Sequence, residues 1–322
     1  MQLIEAVPNI SEGKNPDVLR PLTELLQAAA GVRLLHVDAN TAANRTVFTL
    51  VGEPERVCKA LFDFISLATK LIDMRIQRGI HPRLGAVDVC PLIPLQNISL
   101  QQTALLAQRF AMRVAAEIHL PVYLYEAAAL RPECKNLAFI RRGEYEKLRE
   151  KLRIFPPDFG PFKWNENIQK TGACIIGARH LLIAFNINLN TREKLTAQAI
   201  ALRLREKHSG LRGLKAIGWY MEDFKCAQVS CNVTDFRATP LSIVFEMCRR
   251  EAQGFGAHPT GCELVGLVPL QAMLTAGRHF APTKSAPLDL IQAAIDGLHL
   301  NDVKPFEPNE QILELKAGLI KL

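Results

Sequence analysis

The sequence has 322 residues, 48% of them hydrophobic, which is enough for two ordinary cores because a single core rarely grows past ~300 residues. A formal net charge of +7 suits small anionic ligands, whereas the absence of a long basic block interleaved with aromatic residues argues against nucleic acid as a partner. Eight cysteines without a Cys-x-x-Cys pair argue against a zinc site. Neither a leader nor an apolar run of ~20 residues is visible, which predicts a cytoplasmic protein with no membrane segment.

Hydrophobic periodicity and turn residues predict the order strand, helix, strand, strand, helix, strand for the first part of the chain. Asn15 and Pro16 form a helix start, and Gly31 ends that helix. The predicted elements are strands at 3–8, 32–38, 45–51 and 87–93, with helices at 16–30 and from 54 onward.

A helix at 99–119 and a strand at 121–125 follow. The charged stretch 141–153 alternates basic and acidic residues and predicts a solvated helix face. Three prolines and a glycine within 155–161 predict either a linker or a ligand-facing loop. The later elements are predicted as strands at 173–178, 181–189, 214–221, 227–233 and 263–269, helices at 191–207, 240–253 and 310–316, and a tail from 278 of short helix and loop.

The second half therefore repeats the first. Residues 7–10 resemble 184–187, and 91–94 resemble 266–269 at nearly the same offset along the chain. The repeated βαββαβ order is that of the ferredoxin-like motif. We predict an α+β protein of two tandem ferredoxin-like subdomains, residues 1–178 and 179–322, that face each other with a ligand tunnel between them.

The stretch 79–86, Gly-Ile-His-Pro-Arg-Leu-Gly-Ala, is the strongest candidate for chemistry. Proline after His81 favours an extended backbone, and two glycines flank the motif at the mouth of a buried strand. An unperturbed imidazole titrates near neutral pH, which suits proton transfer. The alternative interpretation is a solvated loop histidine.

Other polar residues near strand ends could complete such a site. Asp38 or Asp88 could orient the imidazole and hold it protonated, although Asp38 is equally typical of a turn. Arginines that could bind substrate carboxylates, or simply be surface charge, are Arg45, Arg83 and Arg179. Asparagines that could offer amide groups are Asn9, Asn44, Asn186 and Asn188. No phosphate loop, dinucleotide fingerprint or nucleophile elbow is present, which leaves metal-free acid/base chemistry in a cleft.

Several motifs, taken in order, resemble one family. They are 7–13, Asp38 with 44–47, 81–91, 121–125, 143–146, 157–161, 177–179, 184–189 and 264–269. Together they resemble the glutamate formimidoyltransferases, which move a formimino group between N-formimidoyl-L-glutamate and tetrahydrofolate in histidine degradation. The resemblance implies two ferredoxin-like halves with a folate tunnel, tetrahydrofolate as co-substrate without a metal, and a homodimer.

The resemblance also implies roles for single residues. His81 matches the family's catalytic acid, and Asp38 matches an aspartate near the reacting centre. The folate loop would run from Gly160 and Pro161 to Gly172, although 162–169 departs from the family pattern. Further substrate contacts are predicted at Asn9, Arg45, Arg179 and Asn186.

Two alternatives stay open at this point. One is transfer of a formyl group between 5-formyltetrahydrofolate and glutamate, and the other is folate binding without turnover. In animals the transferase is fused to a cyclodeaminase, whereas this chain ends at Leu322, which predicts a stand-alone transferase.

Overall fold

The computed structural model describes residues 1–41, 43–79, 81–222 and 224–322. Ile80, which belongs to the histidine motif, lies outside the described residues. The chain divides into two compact units, Met1–His180 and Leu181–Leu322.

The first unit is built on one mixed sheet. Its strands are β1 (Leu3–Ala6), β2 (Asn9–Ile10), β3 (Val32–Asn40), β4 (Arg45–Gly52), β5 (Val87–Gln96), β6 (Val122–Glu126) and β7 (Cys174–Ala178). β4 pairs with β3 on one side and with β1 and β2 on the other, and β5 lies beyond them, all antiparallel. β7 and then β6 extend the sheet in parallel from β5.

Helices cover both faces of this sheet. They are α1 (Pro16–Gln27), α2 (Pro54–Leu71), α3 (Leu100–Ile118), α4 (Leu137–Arg141), α5 (Leu148–Ile154) and α6 (Glu166–Thr171). The first three bury the main core, and residues of the last three cover the opposite face of β6 and β7. Local signals start the long helices as expected: the Asn15 side chain accepts from the backbone N–H of Asp17, and Ser99 and Gln102 form a capping box.

The second unit repeats the motif on a smaller antiparallel sheet. Its elements are β8 (Ile183–Leu189), α7 (Lys194–Leu204), β9 (Leu214–Met221), β10 (Cys226–Val233), α8 (Leu241–Gln253), β11 (Pro259–Val265), α9 (Leu270–Phe280), α10 (Pro287–Gly297), α11 (Pro308–Gln311) and α12 (Leu313–Lys316). The strand order β11, β8, β10, β9 is the ferredoxin-like order. The core of the first unit has the same order through β5, β1, β4 and β3. The two tandem ferredoxin-like subdomains are therefore confirmed, and the ligand tunnel stays a prediction.

The expectation for the tail was wrong. The chain from 278 onward is not only short helix and loop, because it contains the 11-residue helix α10, which packs on α9 with small residues such as Ala276 and Ala294 inside. The stretch 91–94 lies within β5, whereas 266–269 follows the end of β11, so the two strands differ in extent. The register still agrees with the internal match, because Val7 donates its N–H to the Pro91 carbonyl and the matching Ala184 pairs with Val265. Of the two alternatives for 155–161, the linker is excluded, since Val122 donates its N–H to the Phe159 carbonyl within the first unit. The ligand-facing loop stays a prediction.

Gly85 has no room for a side chain. It pairs with Gly172, and a Cβ at position 85 would lie 2.4 Å from the carbonyl oxygen of Ala173. We expect Gly85→Ala to lower the free energy of unfolding by about 3 kcal/mol, because backbone rather than a flexible side chain must move. Urea unfolding of the variant and the wild type measures this difference in the free energy of unfolding. Gly254→Ala is the control, as its Cβ would meet nothing closer than 3.4 Å. Equal stability losses for the two variants would show that the Gly85 contact is not tight.

Candidate active site

The histidine loop is held between two neighbours in the first unit. Gly79 lies against the turn after β3, where a Cβ would meet the Ala43 carbonyl at 2.4 Å. At the other end Ala86 donates to the Thr171 carbonyl at 2.7 Å. The loop that carries His81 is thus joined to the end of α6, which closes the predicted folate loop.

Hydrogen bonding defines the tautomer of His81. Nδ1 lies 2.8 Å from the Pro82 carbonyl oxygen, which only accepts, so Nδ1 carries the hydrogen. Nε2 lies against Nη1 of Arg45 and accepts from it. The half-buried ring is neutral: burial, the Arg45 charge and the Arg141 charge lower the pKa of His81 to about 3.

The expectation that a carboxylate holds this imidazole protonated was therefore wrong. Arg45, at the start of β4, occupies the position that we assigned to Asp38 or Asp88. Burial and the Arg141 charge lower the pKa of Arg45 to about 10, against the opposing effects of Asp88 and Asp38. Asp38 lies on β3 opposite Val47 and, among the described residues, has no hydrogen-bond partner for its carboxylate.

Asp88 instead anchors the histidine loop. One carboxylate oxygen accepts from the backbone N–H of Leu84 at 2.8 Å, and the other accepts from Nη2 of Arg141. The Asp88 side chain is only 2% exposed and that of Arg141 15%. Sequence reasoning missed Arg141 because it belongs to the stretch 141–153 that we predicted as a solvated face.

That prediction fails at Lys151 as well. Its side chain is buried, and Nζ donates to the carbonyl of Ile140 at the end of α4. Burial lowers the pKa of Lys151 to about 8. Arg141 at the end of α4 and Lys151 in the middle of α5 thus point inward, which an alternation of charge signs does not reveal.

Arg83 binds carboxylates of the protein itself. Its guanidinium donates to the Glu146 carboxylate at 2.7 Å and to the Gln77 side chain at 2.5 Å, with Glu144 3.4 Å away. Tyr145 donates its N–H to the Arg83 carbonyl. Arg83 is buried, so the motif 143–146 supports the histidine loop and Arg83 is not placed to bind a substrate.

The predicted folate loop begins and ends at glycines with backbone roles. Gly160 has φ +89°, and a Cβ there would lie 2.0 Å from the Leu120 carbonyl oxygen. Gly172 has φ +69° and approaches the Cα of Gly85. Pro161 is half-buried, and α6 fills most of the interval between the two glycines. These positions are explained by backbone geometry, and their contact with folate stays a prediction.

Asn9, Arg179 and Asn186 lie on three different strands or strand ends. Asn9 is buried between β4 and β5, the strands that carry Arg45 and Asp88, and its amide donates to the Val7 carbonyl. Arg179 follows β7, and its guanidinium donates to the His180 carbonyl at 2.9 Å.

Asn186 belongs to the second unit. It is buried on β8, and its Oδ1 accepts no hydrogen bond from any described residue. Beside it Gln228 donates to Asn188 at 2.8 Å and accepts from the indole N–H of Trp219 at 2.7 Å. This sheet face therefore carries amide groups, one of them unsatisfied.

Other possible sites are absent from the described part of the chain or lie elsewhere. No group of three or more His, Cys, Asp and Glu side chains there could hold a metal ion. Within the same residues, no helix has the length and apolarity needed to cross a bilayer. Surface depressions of about 510 and 480 Å³, lined in part by α8 and by the starts of α2 and α3, contain none of the candidate residues.

Comparison with known proteins covers nearly the whole chain. Models of the formiminotransferase domain match residues 3–179, as its N-terminal subdomain, and residues 184–317. The formimidoyltransferase-cyclodeaminase of Rattus norvegicus is 43% identical over 97% of this chain, which spans 59% of that protein. The glutamate formimidoyltransferase of Thermoplasma acidophilum is 39% identical, over 87% of this chain and 92% of its own. That of Streptococcus pyogenes is 37% identical, over 87% and 93%.

Proposed function

Because the chain belongs to the formiminotransferase family, we propose that it transfers a formimino group from N-formimidoyl-L-glutamate to tetrahydrofolate, which yields 5-formimidoyltetrahydrofolate and L-glutamate. The resemblance drawn from its motifs is confirmed by matches to both halves of the family domain. The observation that carries the proposal is a neutral His81 whose Nε2 accepts a hydrogen bond beside two guanidinium groups. A neutral imidazole can accept a proton, and guanidinium groups favour substrates with several carboxylates.

The chemistry requires one proton to move between two nitrogens. N5 of tetrahydrofolate attacks the amidine carbon, and a C–N bond forms as the imine nitrogen takes up the displaced electron pair. The proton on N5 passes to Nε2 of His81, which then delivers it to the glutamate nitrogen. The imine nitrogen then returns its electron pair to carbon and re-forms the C=N bond, while the protonated glutamate nitrogen leaves as an amine with the electrons of the broken C–N bond. The proton balance thus closes without water or a metal.

Neighbouring charges would support these steps. Asp38 would stabilise the cationic amidine, since its carboxylate is close enough to raise the pKa of Arg45 and has no hydrogen bond to a described residue. Arg45 must leave Nε2 before the ring can accept a proton, and a substrate carboxylate that binds the guanidinium would achieve this.

The remaining substrate contacts are part of the same proposal. Tetrahydrofolate would bind along the loop from Gly160 and Pro161 to Gly172, and Asn9 and Asn186 would offer amide groups. Arg179 would bind a carboxylate. The proposal also includes that the protein is a homodimer in the cytoplasm and that it binds neither nucleic acid nor membranes.

One assay tests the function. The full chain is incubated with N-formimidoyl-L-glutamate and tetrahydrofolate, and 5-formimidoyltetrahydrofolate and L-glutamate are quantified. Formation of both in equal amounts is expected. A parallel reaction with 5-formyltetrahydrofolate and glutamate separates formyl from formimino transfer, and folate binding without turnover of either would overturn the proposal.

The pH dependence of kcat/KM provides a prediction about Arg45. The neutral imidazole is the active form, and its pKa of about 3 in the free chain keeps it neutral well below pH 6.5. We expect no histidine inflection near pH 6.5 in the wild type. Arg45→Gln removes the nearest positive charge and should move the inflection of the acid limb upward, toward 6.5. The control is Arg109→Gln, an exposed arginine of α3. An unchanged profile for Arg45→Gln would contradict the prediction.

A further inference from the structure

We infer that Arg141 and Arg45 together bind the α-carboxylate of the amino-acid substrate beside His81, and that Arg141 thereby determines specificity for an α-amino acid. The inference rests on the proposed function and deepens it. Arg141 is the last residue of α4, whereas Arg45 begins β4. Only the tertiary structure brings Arg45 against His81 and Arg141 onto Asp88, which holds the Leu84 N–H three residues further along the histidine loop.

Arg141 keeps unused hydrogen-bonding capacity. A guanidinium has five N–H donors, and among residues 1–41, 43–79, 81–222 and 224–322 one of them, on Nη2, finds a partner in Asp88. Nε is buried without an acceptor among the described residues. A buried donor that lacks an acceptor is costly, and a carboxylate is the acceptor whose planar shape fits a guanidinium best.

The local charge also favours an anion. Arg141 and Arg45 repel each other, since the charge of Arg141 lowers the pKa of Arg45. Asp88, the carboxylate nearest in the chain to this loop, is already shared between Arg141 and the N–H of Leu84. An anion that contacts both guanidinium groups would relieve their repulsion and draw Arg45 away from Nε2.

The chemistry of the substrate identifies which carboxylate fits. In N-formimidoyl-L-glutamate the departing nitrogen is bonded to Cα, and Cα carries the α-carboxylate. Binding that carboxylate beside His81 places the departing nitrogen next to the ring that must protonate it. The γ-carboxylate is separated from this nitrogen by three carbons and would leave it too far away.

Direct binding measurements test the inference without turnover. L-glutamate, L-glutamine and the α-amide of glutamate are titrated calorimetrically into the full chain and into Arg141→Gln. We expect the variant to bind glutamate and glutamine about 10- to 100-fold more weakly, the range for a lost charge-assisted hydrogen bond. Binding of the α-amide should not change. Arg141→Lys keeps the charge but loses the planar guanidinium. Its affinity for glutamate should lie between those of the wild type and of Arg141→Gln.

The matched control is Arg142→Gln. Arg142 is the next residue, is exposed, and lies over the Phe139 ring, so its loss should leave glutamate affinity unchanged. A purely structural role for Arg141 would weaken the α-amide, glutamate and tetrahydrofolate equally, and that result would overturn the inference. Wild-type affinity for glutamate in Arg141→Gln would also overturn it.

These outcomes are separate from those of the transfer assay. If the wild type transfers the formimino group and Arg141→Gln binds glutamate normally, the function stands and the inference fails. If glutamate binding depends on Arg141 but no transfer occurs, the inference stands and the proposed reaction fails.

Discussion

Replacing His81 with alanine is expected to lower kcat for formimino transfer by ~10²- to 10⁴-fold, the usual contribution of a positioned acid/base group. Affinity for tetrahydrofolate should stay near that of the wild type, because Nδ1 binds only the Pro82 carbonyl and Nε2 only Arg45 within the described residues. The rate loss should appear in kcat since the imidazole acts on a proton that moves during the reaction.

Single-turnover kinetics and folate titration measure the two quantities separately. His258→Ala is the control, because that histidine is exposed and its backbone N–H and carbonyl, not its ring, make the hydrogen bonds with Asn190. A near-wild-type rate in His81→Ala would refute the role of His81. If His81→Ala lost affinity for folate but kept its rate, His81 would be assigned to substrate binding.

Asp88→Ala is expected to lower the free energy of unfolding by about 3 to 5 kcal/mol, the cost of breaking a buried ion pair from one side. The change leaves the Arg141 guanidinium without its partner and removes the acceptor for the Leu84 N–H. Because Asp88 is 2% exposed, water cannot replace the carboxylate without rearrangement of the loop.

Asp88→Asn separates the two contributions. Its amide oxygen can still accept from the Leu84 N–H and its side chain fills the same space, so a smaller loss of stability is expected than in Asp88→Ala. Asp63→Ala serves as the control, since it removes only an exposed ion pair with Lys59, which is worth about 0.5 kcal/mol. Chemical denaturation of the three variants and the wild type measures their free energies of unfolding. A loss in Asp88→Ala no larger than in Asp63→Ala would contradict the anchoring role.

Local sequence signals were sufficient for much of the fold. Helix starts at Asn15 and Ser99 were readable because caps act through bonds between residues two or three positions apart. The order of strands and helices along each half followed from hydrophobic periodicity and turn residues. The helices α9 and α10 were not predicted, although the buried face of α10 carries Leu290, Ile291 and Ile295; small residues such as Ala272, Ala276 and Gly277 dominate only the buried face of α9.

In the candidate site, too, some residues could be identified from the sequence and others only from the structure. His81 and Arg45 were identifiable from their motif and their position at strand ends. Arg141 and Lys151 were not, because they sit in a charged stretch where only the direction of each side chain separates a buried residue from a solvated one. Arg83 was misjudged for a related reason: its partners Glu144 and Glu146 are some sixty positions along the chain.

The sequence by itself determined the doubled βαββαβ order, the family and the histidine motif, since all three depend on residue type and short-range spacing. Only the tertiary structure decided the charge state of the imidazole and the pairing of its neighbours. A pKa depends on burial and on nearby charges, and here those charges are Arg45 on β4 and Arg141 on α4. No spacing along the chain encodes that Arg45, rather than a carboxylate, meets His81.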